Sequence, residues 1–262
     1  MILNDKVKNK LPIVDFDNYY VVADFDRTIT NGSSKTSWSI LAGSDLVPQN
    51  YIEERDKLYK KYRPIELDET MDFDERSRLV SEWFFKHIEL FIKYRISEEV
   101  FETAGRNLRI MEFRNGAKEF LETLYKKKVP VIIISAGIGN FIESFLRAND
   151  AYFDNIYISS NKIIFDDGYA VGVGDNIIHS LNKNEVSLPE NVKEVIKERK
   201  KVILLGDQIS DLMMIDEKIH KDVLKVGFYS TRSEVSVSEF EKNFDIVCLD
   251  DDNYNNLTDI FF

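Results

Sequence analysis

The chain has 262 residues, 44% of them hydrophobic and 31% charged, which gives room for one large domain or a core with a smaller insertion. Its formal charge of −11 opposes non-specific association with nucleic acid or an anionic membrane, and obliges any anionic ligand to be held by a local positive site. A single cysteine, Cys248, excludes an intrachain disulfide. With no run of about 18 apolar residues and no signal-peptide pattern at the start, a cytoplasmic protein is expected, with neither membrane nor nucleic acid as partner. Subunit number is not set by the sequence.

In chain order, "YYVVADF" (19–25) is the first run of the kind that forms a buried strand. Residues 33 to 110 follow, rich in aromatic and charged side chains, with helical spacing in "YIEERDKLYKKYR" and "ERSRLVSEWFFKHIELFIKYR". Within the latter, Leu79, Trp83, Phe84 and His87 fall at i, i+4, i+5 and i+8 and share one helix face. This stretch, about 100 residues from strand to strand, is far longer than an ordinary crossover and reads as an inserted helical domain over 33–110, with 1–32 and 111–262 forming the core. Further apolar runs at 129–135, 156–159, 201–206, 223–228 and 245–249 predict strands. Helical patterns at 116–128, 139–150, 190–201 and 210–218 alternate with them. "SNKIIFDDGYAVGVGD" (160–175) predicts a β-hairpin turning at Asp166-Asp167-Gly168. The alternation specifies an α/β fold with a doubly wound parallel sheet.

Ligands of such sheets bind beyond the C-terminal strand ends, and reactive residues gather there. The first strand delivers Asp24 and Asp26, with Thr28 close behind; the second delivers Ser135, followed by "AGIGN" opening a helix. The fourth delivers Gly206-Asp207, then Asp211, and Lys183 lies upstream in "SLNKNE". Two carboxylates as close as Asp24 and Asp26 repel and resist desolvation, so something must compensate, and a metal ion is one candidate. Each residue alone has an ordinary explanation as a turn, a cap or a solvated charge; the four groups in this order do not.

In these motifs the chain resembles the haloacid dehalogenase (HAD) superfamily of phosphohydrolases, whose Rossmann-like core carries an inserted helical cap. "YRPIELD", "SEWFFK", "SAGIGN", "FDDGYAVGV", "SLNKNE" and "LLGDQISDLMM" narrow the resemblance, over roughly residues 20 to 230, to the cytosolic pyrimidine 5′-nucleotidase family. The resemblance implies that Asp24 attacks phosphorus to form an aspartyl-phosphate and that Asp26 acts as general acid and base. Mg²⁺ would be held by Asp24, the carbonyl of Asp26 and Asp207, with Asp211 orienting a bound water or Lys183. Phosphate would be met by Ser135, the N–H groups of Ala136 and Gly137 at a helix start, Lys183 and Thr28. Substrate choice would fall to the insertion: Glu66 to accept from a base amino group, Trp38 to stack, with Phe84 and His87 nearby. Trp83 and Phe84 suit a cap core as well as a pocket. His87 stands where animal members carry a serine, and "TNGSSKTSW" also departs from their pattern. His179 and His220 are expected to be solvated or structural. The implied activity is Mg²⁺-dependent hydrolysis of a nucleoside 5′-monophosphate. The alternatives are a phosphatase for a sugar or amino-acid phosphate, and an idle binding module.

Overall fold

A computed structural model describes residues 1–5, 7, 11–13, 15–42, 44–107, 111–174, 177–220, 222–230, 233, 235–249 and 253–262. Six strands form a parallel sheet: β2 (Tyr19–Ala23), β3 (Val131–Ile138), β4 (Ile156–Asn161), β7 (Lys201–Gly206), β8 (Asp222–Phe228) and β9 (Ile246–Cys248). A two-residue strand, β1 (Ile2–Leu3), pairs antiparallel to β9, giving the order β1-β9-β8-β7-β2-β3-β4. Each of the six predicted apolar runs supplies one parallel strand; β1 is too short to leave a periodic signal.

The continuous apolar runs are explained by burial on both faces. Val21, Ala23, Val131, Ile133, Ile203 and Leu205 enter the larger core, while Tyr20, Val22, Ile132, Ile134, Val202 and Leu204 enter the one on the other face. That is the period-two alternation of a pleated sheet with no wet side. Helices α4 (Ala117–Lys126), α5 (Gly139–Ala148), α6 (Glu190–Ile196), α7 (Val237–Asn243) and α8 (Tyr254–Phe261) complete the layers. The helix predicted at 210–218 is a 3-10 turn over Ile209–Met214 only. Asp211 folds back there to accept the N–H groups of Asp207 and Gln208, both at 3.0 Å, so its side chain is spent on the turn and on the site.

Between β2 and β3 lie α1 (Gln49–Glu66), α2 (Phe73–Lys93) and α3 (Glu98–Gly105). The first two form an antiparallel pair, and Asp72 caps α2 by accepting from the N–H groups of Asp74 and Glu75. Helix α3 packs instead on α5 of the sheet layer, where Phe101 meets Phe141 at 4.8 Å. The expected boundary at 110 lies outside the described residues. The predicted hairpin is present as β5 (Ile163–Asp166) and β6 (Tyr169–Val173), turning through Asp167 (φ 47°) and Gly168 (φ 75°). It touches α2, and so braces the helical pair from below.

Candidate active site

Asp24 ends β2 and is 5% exposed; Lys183 is also 5% exposed and Asp211 3%. The Lys183 ammonium donates to Asp24 Oδ1 and, at 2.8 Å, to Asp211 Oδ1. Burial works against the lysine's charge, but Asp211 and Asp24 outweigh it and hold the group protonated, above its ordinary range. Burial pushes the Asp24 carboxyl up, against the pull of Lys183. Burial also raises Asp207, and the neighbouring charges of Asp211 and Asp24 add to that shift. Three carboxylates around one ammonium leave surplus negative charge in a largely buried cluster, which a cation would relieve.

The donor set fits such a cation. Oxygens of Asp24, Asp207 and Asp211 lie within 4.8 Å of one another, and carboxylate oxygens suit Mg²⁺. Both oxygens of Asp211 are already engaged, Oδ1 by Lys183 and Oδ2 by the two backbone N–H groups. Asp24 and Asp207 are therefore the better ligands, and Asp211 acts through Lys183.

Asp26 sits in a π-turn, Phe25–Ile29, that carries the chain out of β2. Its Oδ1 accepts from the Ser37 N–H at 3.0 Å and its Oδ2 from the Ser37 hydroxyl at 2.9 Å. Burial raises the Asp26 carboxyl, and those Ser37 bonds hold the rise in check. Ser37 Oγ in turn accepts from the Ile138 N–H at 3.1 Å. Ser37 thus ties Asp26 to the end of β3. Nothing in "SSKTSWS" marks this residue among four serines, and the sequence reading missed it.

The turn is held from behind by Arg114, 6% exposed, whose Nη2 donates to the Arg27 carbonyl at 2.5 Å and Nε to the Thr28 carbonyl at 3.3 Å. The Tyr254 hydroxyl also donates to the Thr28 carbonyl, at 3.3 Å. Thr28 itself is fully buried, its hydroxyl 3.5 Å from Asp24 Oδ2, and it does not line the cleft. The expectation that it binds phosphate is corrected: it packs beneath Asp24, out of the cleft. Arg114 and Tyr254 lie too far along the chain for spacing to reveal them.

Ser135, Ala136 and Gly137 line the cleft facing Asp24. They belong to β3, which runs to Ile138 before α5 begins, so Ala136 and Gly137 lie at a strand end rather than in a helix start. The Ser135 hydroxyl accepts the Gly137 N–H at 3.0 Å. A Cβ at residue 137 would come within 2.3 Å of Ser37 Oγ, so only glycine fits between the two serines and Asp26. Asn161, fully buried, donates to the carbonyls of Ala136 (2.9 Å), Gly137 (3.2 Å) and Ile178 (2.7 Å), and so joins this loop to the segment leading to Lys183.

The cleft has a volume of about 470 Å³ and runs from these groups to the helical pair. Trp38, half-buried, donates its Nε1–H to the Ala136 carbonyl at 2.7 Å. Its ring meets Phe84 edge-on at 4.9 Å and His87 at 5.2 Å. Trp83 and Phe84 belong to the buried cluster of the helical pair and also line the cleft, so core and pocket are one surface. Glu66 is the last residue of α1; it pairs with Arg63 and accepts from the Ser180 hydroxyl at 2.6 Å, which links the helical pair to the core.

Several polar atoms at this end have no partner. Both ring nitrogens of His87 and the Trp83 Nε1–H are buried without a hydrogen bond. Burial, with Arg55 adding to it, pushes His87 down to about 3 and so keeps it neutral. His179, expected to be solvated or structural, is fully buried: its Nε2 is 2.9 Å from Ser81 Oγ and its Nδ1 accepts the Leu181 N–H at 3.2 Å. His220 is largely buried too, against Glu185 and Tyr20.

The family model for pyrimidine 5′-nucleotidase (UMPH-1) matches residues 23–261. A 7-methylguanosine phosphate-specific 5′-nucleotidase of Drosophila melanogaster is 31% identical over 257 residues, which cover 94% of this chain and 80% of that protein. The crystal structure of cytosolic 5′-nucleotidase IIIB bound to cytidine superposes with a TM-score of 0.86 at 29% identity, covering 98% of this chain and 91% of the other. A HAD family hydrolase of Salmonella enterica shares the fold at a TM-score of 0.64 and 15% identity, over 92% of this chain and 69% of the other.

Proposed function

As the chain belongs to the pyrimidine 5′-nucleotidase family and is a phosphoric monoester hydrolase of the 5′-nucleotidase kind, we propose that it hydrolyses nucleoside 5′-monophosphates through an aspartyl-phosphate, with Mg²⁺ as cofactor. One observation carries this reading: a single cleft joins a buried Asp24–Lys183–Asp211 cluster to an aromatic end formed by Trp38, Trp83, Phe84 and His87.

In the first step an Asp24 carboxylate oxygen attacks phosphorus and the bond from phosphorus to the ester oxygen breaks. Asp26, whose carboxyl burial raises and the Ser37 bonds hold in check, serves as the general acid that gives a proton to that oxygen, and the nucleoside leaves. In the second step water attacks phosphorus, Asp26 takes the proton from the water, and the bond to Asp24 breaks to free phosphate. Lys183 and Ser135 hold the phosphoryl oxygens. Mg²⁺, held by Asp24, Asp207 and the Asp26 carbonyl, would neutralise charge on the phosphoryl oxygens. The helical pair α1–α2 serves as the cap, reading the base through its aromatic rings and Glu66.

The relatives' names favour a 7-methylated purine or a pyrimidine as base. The alternative, a sugar or amino-acid phosphate, gives no use to the aromatic end. A substrate panel decides. Nucleoside monophosphates should exceed sugar phosphates and phosphoserine in kcat/KM by about 100-fold or more. Equal rates across the panel would sink the nucleotide reading. Activity that persists in excess EDTA would remove the metal.

A further inference from the structure

The segment Ser135–Gly137 lies at an irregularity of the sheet. From Ile134 to Ile138 β3 advances four residues while β4 advances two, from Ser159 to Asn161. Ser135, Ala136 and Gly137 therefore leave the ladder, and their peptide groups must find partners elsewhere. Side chains supply partners from two sides. Asn161, at the end of β4, donates to the carbonyls of Ala136 and Gly137. From the segment after Asp26, Trp38 Nε1–H donates to the Ala136 carbonyl at 2.7 Å, and Ser37 Oγ accepts the Ile138 N–H.

The Ala136 carbonyl thus takes two donors, as many as it has lone pairs. The peptide that joins it to Gly137 is planar, so fixing the oxygen also fixes the Gly137 N–H on the opposite edge. That N–H meets Ser135 Oγ at 3.0 Å. A serine hydroxyl has one hydrogen to give; with an N–H donating to its oxygen, that hydrogen must point elsewhere. Among the described residues nothing accepts it, and Ser135 lines the cleft with Asp24. The arrangement leaves one directed donor in the same cleft as Asp24.

The indole that fixes this peptide also belongs to the aromatic end. Its ring lies parallel to Phe91 at 6.0 Å and meets Phe84 and His87 edge-on. Packed in this way, Trp38 cannot turn its N–H from Ala136 without disturbing those rings. We infer that Trp38 is a positioning residue of the phosphoryl site. With Asn161 it holds the Ala136–Gly137 peptide so that Ser135 donates its hydroxyl hydrogen to a phosphoryl oxygen, and its ring ties that geometry to the aromatic end. This task goes beyond stacking on a base, and it rests on the reading of Ser135 as a phosphate contact.

A double-mutant cycle tests the inference. Trp38→Phe keeps a ring beside Phe84, His87 and Phe91 but removes the N–H. For a nucleoside monophosphate, kcat should fall by about tenfold and KM should stay within about threefold. In a Ser135→Ala background the same change should cost less than about twofold, because the hydroxyl that it positions is gone. Equal losses in both backgrounds overturn the inference, as does an unchanged kcat, with or without a rise in KM. Ser135→Ala as fast as the wild type is a different failure: it removes the Ser135 reading, and the inference with it. A measurement on the wild type covers a variant that does not fold. The chain has two tryptophans, so labelling with heavy nitrogen gives two indole N–H signals in NMR, which Trp83→Phe tells apart. Inorganic phosphate with Mg²⁺, which brings no base, should move the Trp38 signal and leave that of Trp83 in place. A Trp38 signal that stays put overturns the inference.

Discussion

The two ends of the cleft are built on opposite rules. At the phosphate end nearly every polar atom is engaged: Lys183 spans Asp24 and Asp211, Ser37 holds Asp26, and Asn161 holds three carbonyls. At the aromatic end His87 and Trp83 are buried with ring nitrogens unpaired. A satisfied network fixes one geometry and suits chemistry that tolerates little misplacement. Orphaned donors and acceptors cost stability in the free protein, and that cost is recovered when a ligand supplies their partners. The side-chain hydrogen bonds of the first region are closed within the protein; those of the second are not.

The largest effect should come from breaking the phosphate end. Asp24→Asn removes the carboxylate proposed as nucleophile while keeping its shape, and turnover should fall by about 10⁴-fold or more. Because the amide still meets Lys183, the variant should remain folded, and its circular dichroism should match the wild type. Residual turnover near the wild-type rate would remove Asp24 from the mechanism.

The aromatic end should fail differently. Glu66→Gln weakens the pairing with Arg63 and the acceptor offered to a base. kcat/KM for the preferred nucleotide should drop by up to about 100-fold. Hydrolysis of a small phosphate ester with no base should hardly change. A uniform loss across both substrates would mean that Glu66 supports the fold rather than reads the ligand.

The unpaired imidazole of His87 carries a pH signature. The unfolded chain takes up a proton as pH falls through its ordinary 6.5, while the folded chain resists until about 3. Between those values the unfolded state holds more protons, so stability falls as pH falls, by up to about 1.4 kcal/mol per unit. Above 6.5 the term vanishes. His87→Phe removes it, and between pH 6.5 and 4.5 the variant should lose about 2 kcal/mol less than the wild type in urea unfolding. His179, depressed to about 4 by burial, acts in the same sense and is common to both chains. Parallel pH profiles would show that His87 is solvated in solution.

The contrast also explains what the sequence disclosed. Asp24, Asp26, Ser135 and Asp207 were legible as candidates because strand ends are fixed by local apolar runs, and reactive residues at those ends stand out; Lys183 and Asp211 were legible only as parts of the motifs "SLNKNE" and "GDQISD". Ser37, Asn161 and Arg114 were not, because their bonds reach across 11 to 101 residues of chain and are made only by folding, and such a polar residue carries no periodic mark. Thr28 sat in the right motif, but its turn directed it under Asp24 instead of toward the cleft. For Trp83 and Phe84 the helical spacing could not separate core from pocket, since both side chains belong to each.

Ser37 is where the two regions meet, and the smallest effect tests it. It leads directly to Trp38, which faces the aromatic end, while its own hydroxyl donates to Asp26 and accepts from Ile138. Ser37→Ala keeps the backbone N–H that also holds Asp26, so the carboxyl loses one bond of its set. The Ile138 N–H, in turn, loses its acceptor. One such bond to an ionisable group is worth about 1.5 kcal/mol, so kcat should fall by about tenfold. KM should stay within about twofold, because neither phosphate nor base contacts are removed. A rise in KM with kcat unchanged would show instead that Ser37 positions Trp38 and the aromatic end, and that the Asp26 carboxyl is held by the backbone alone.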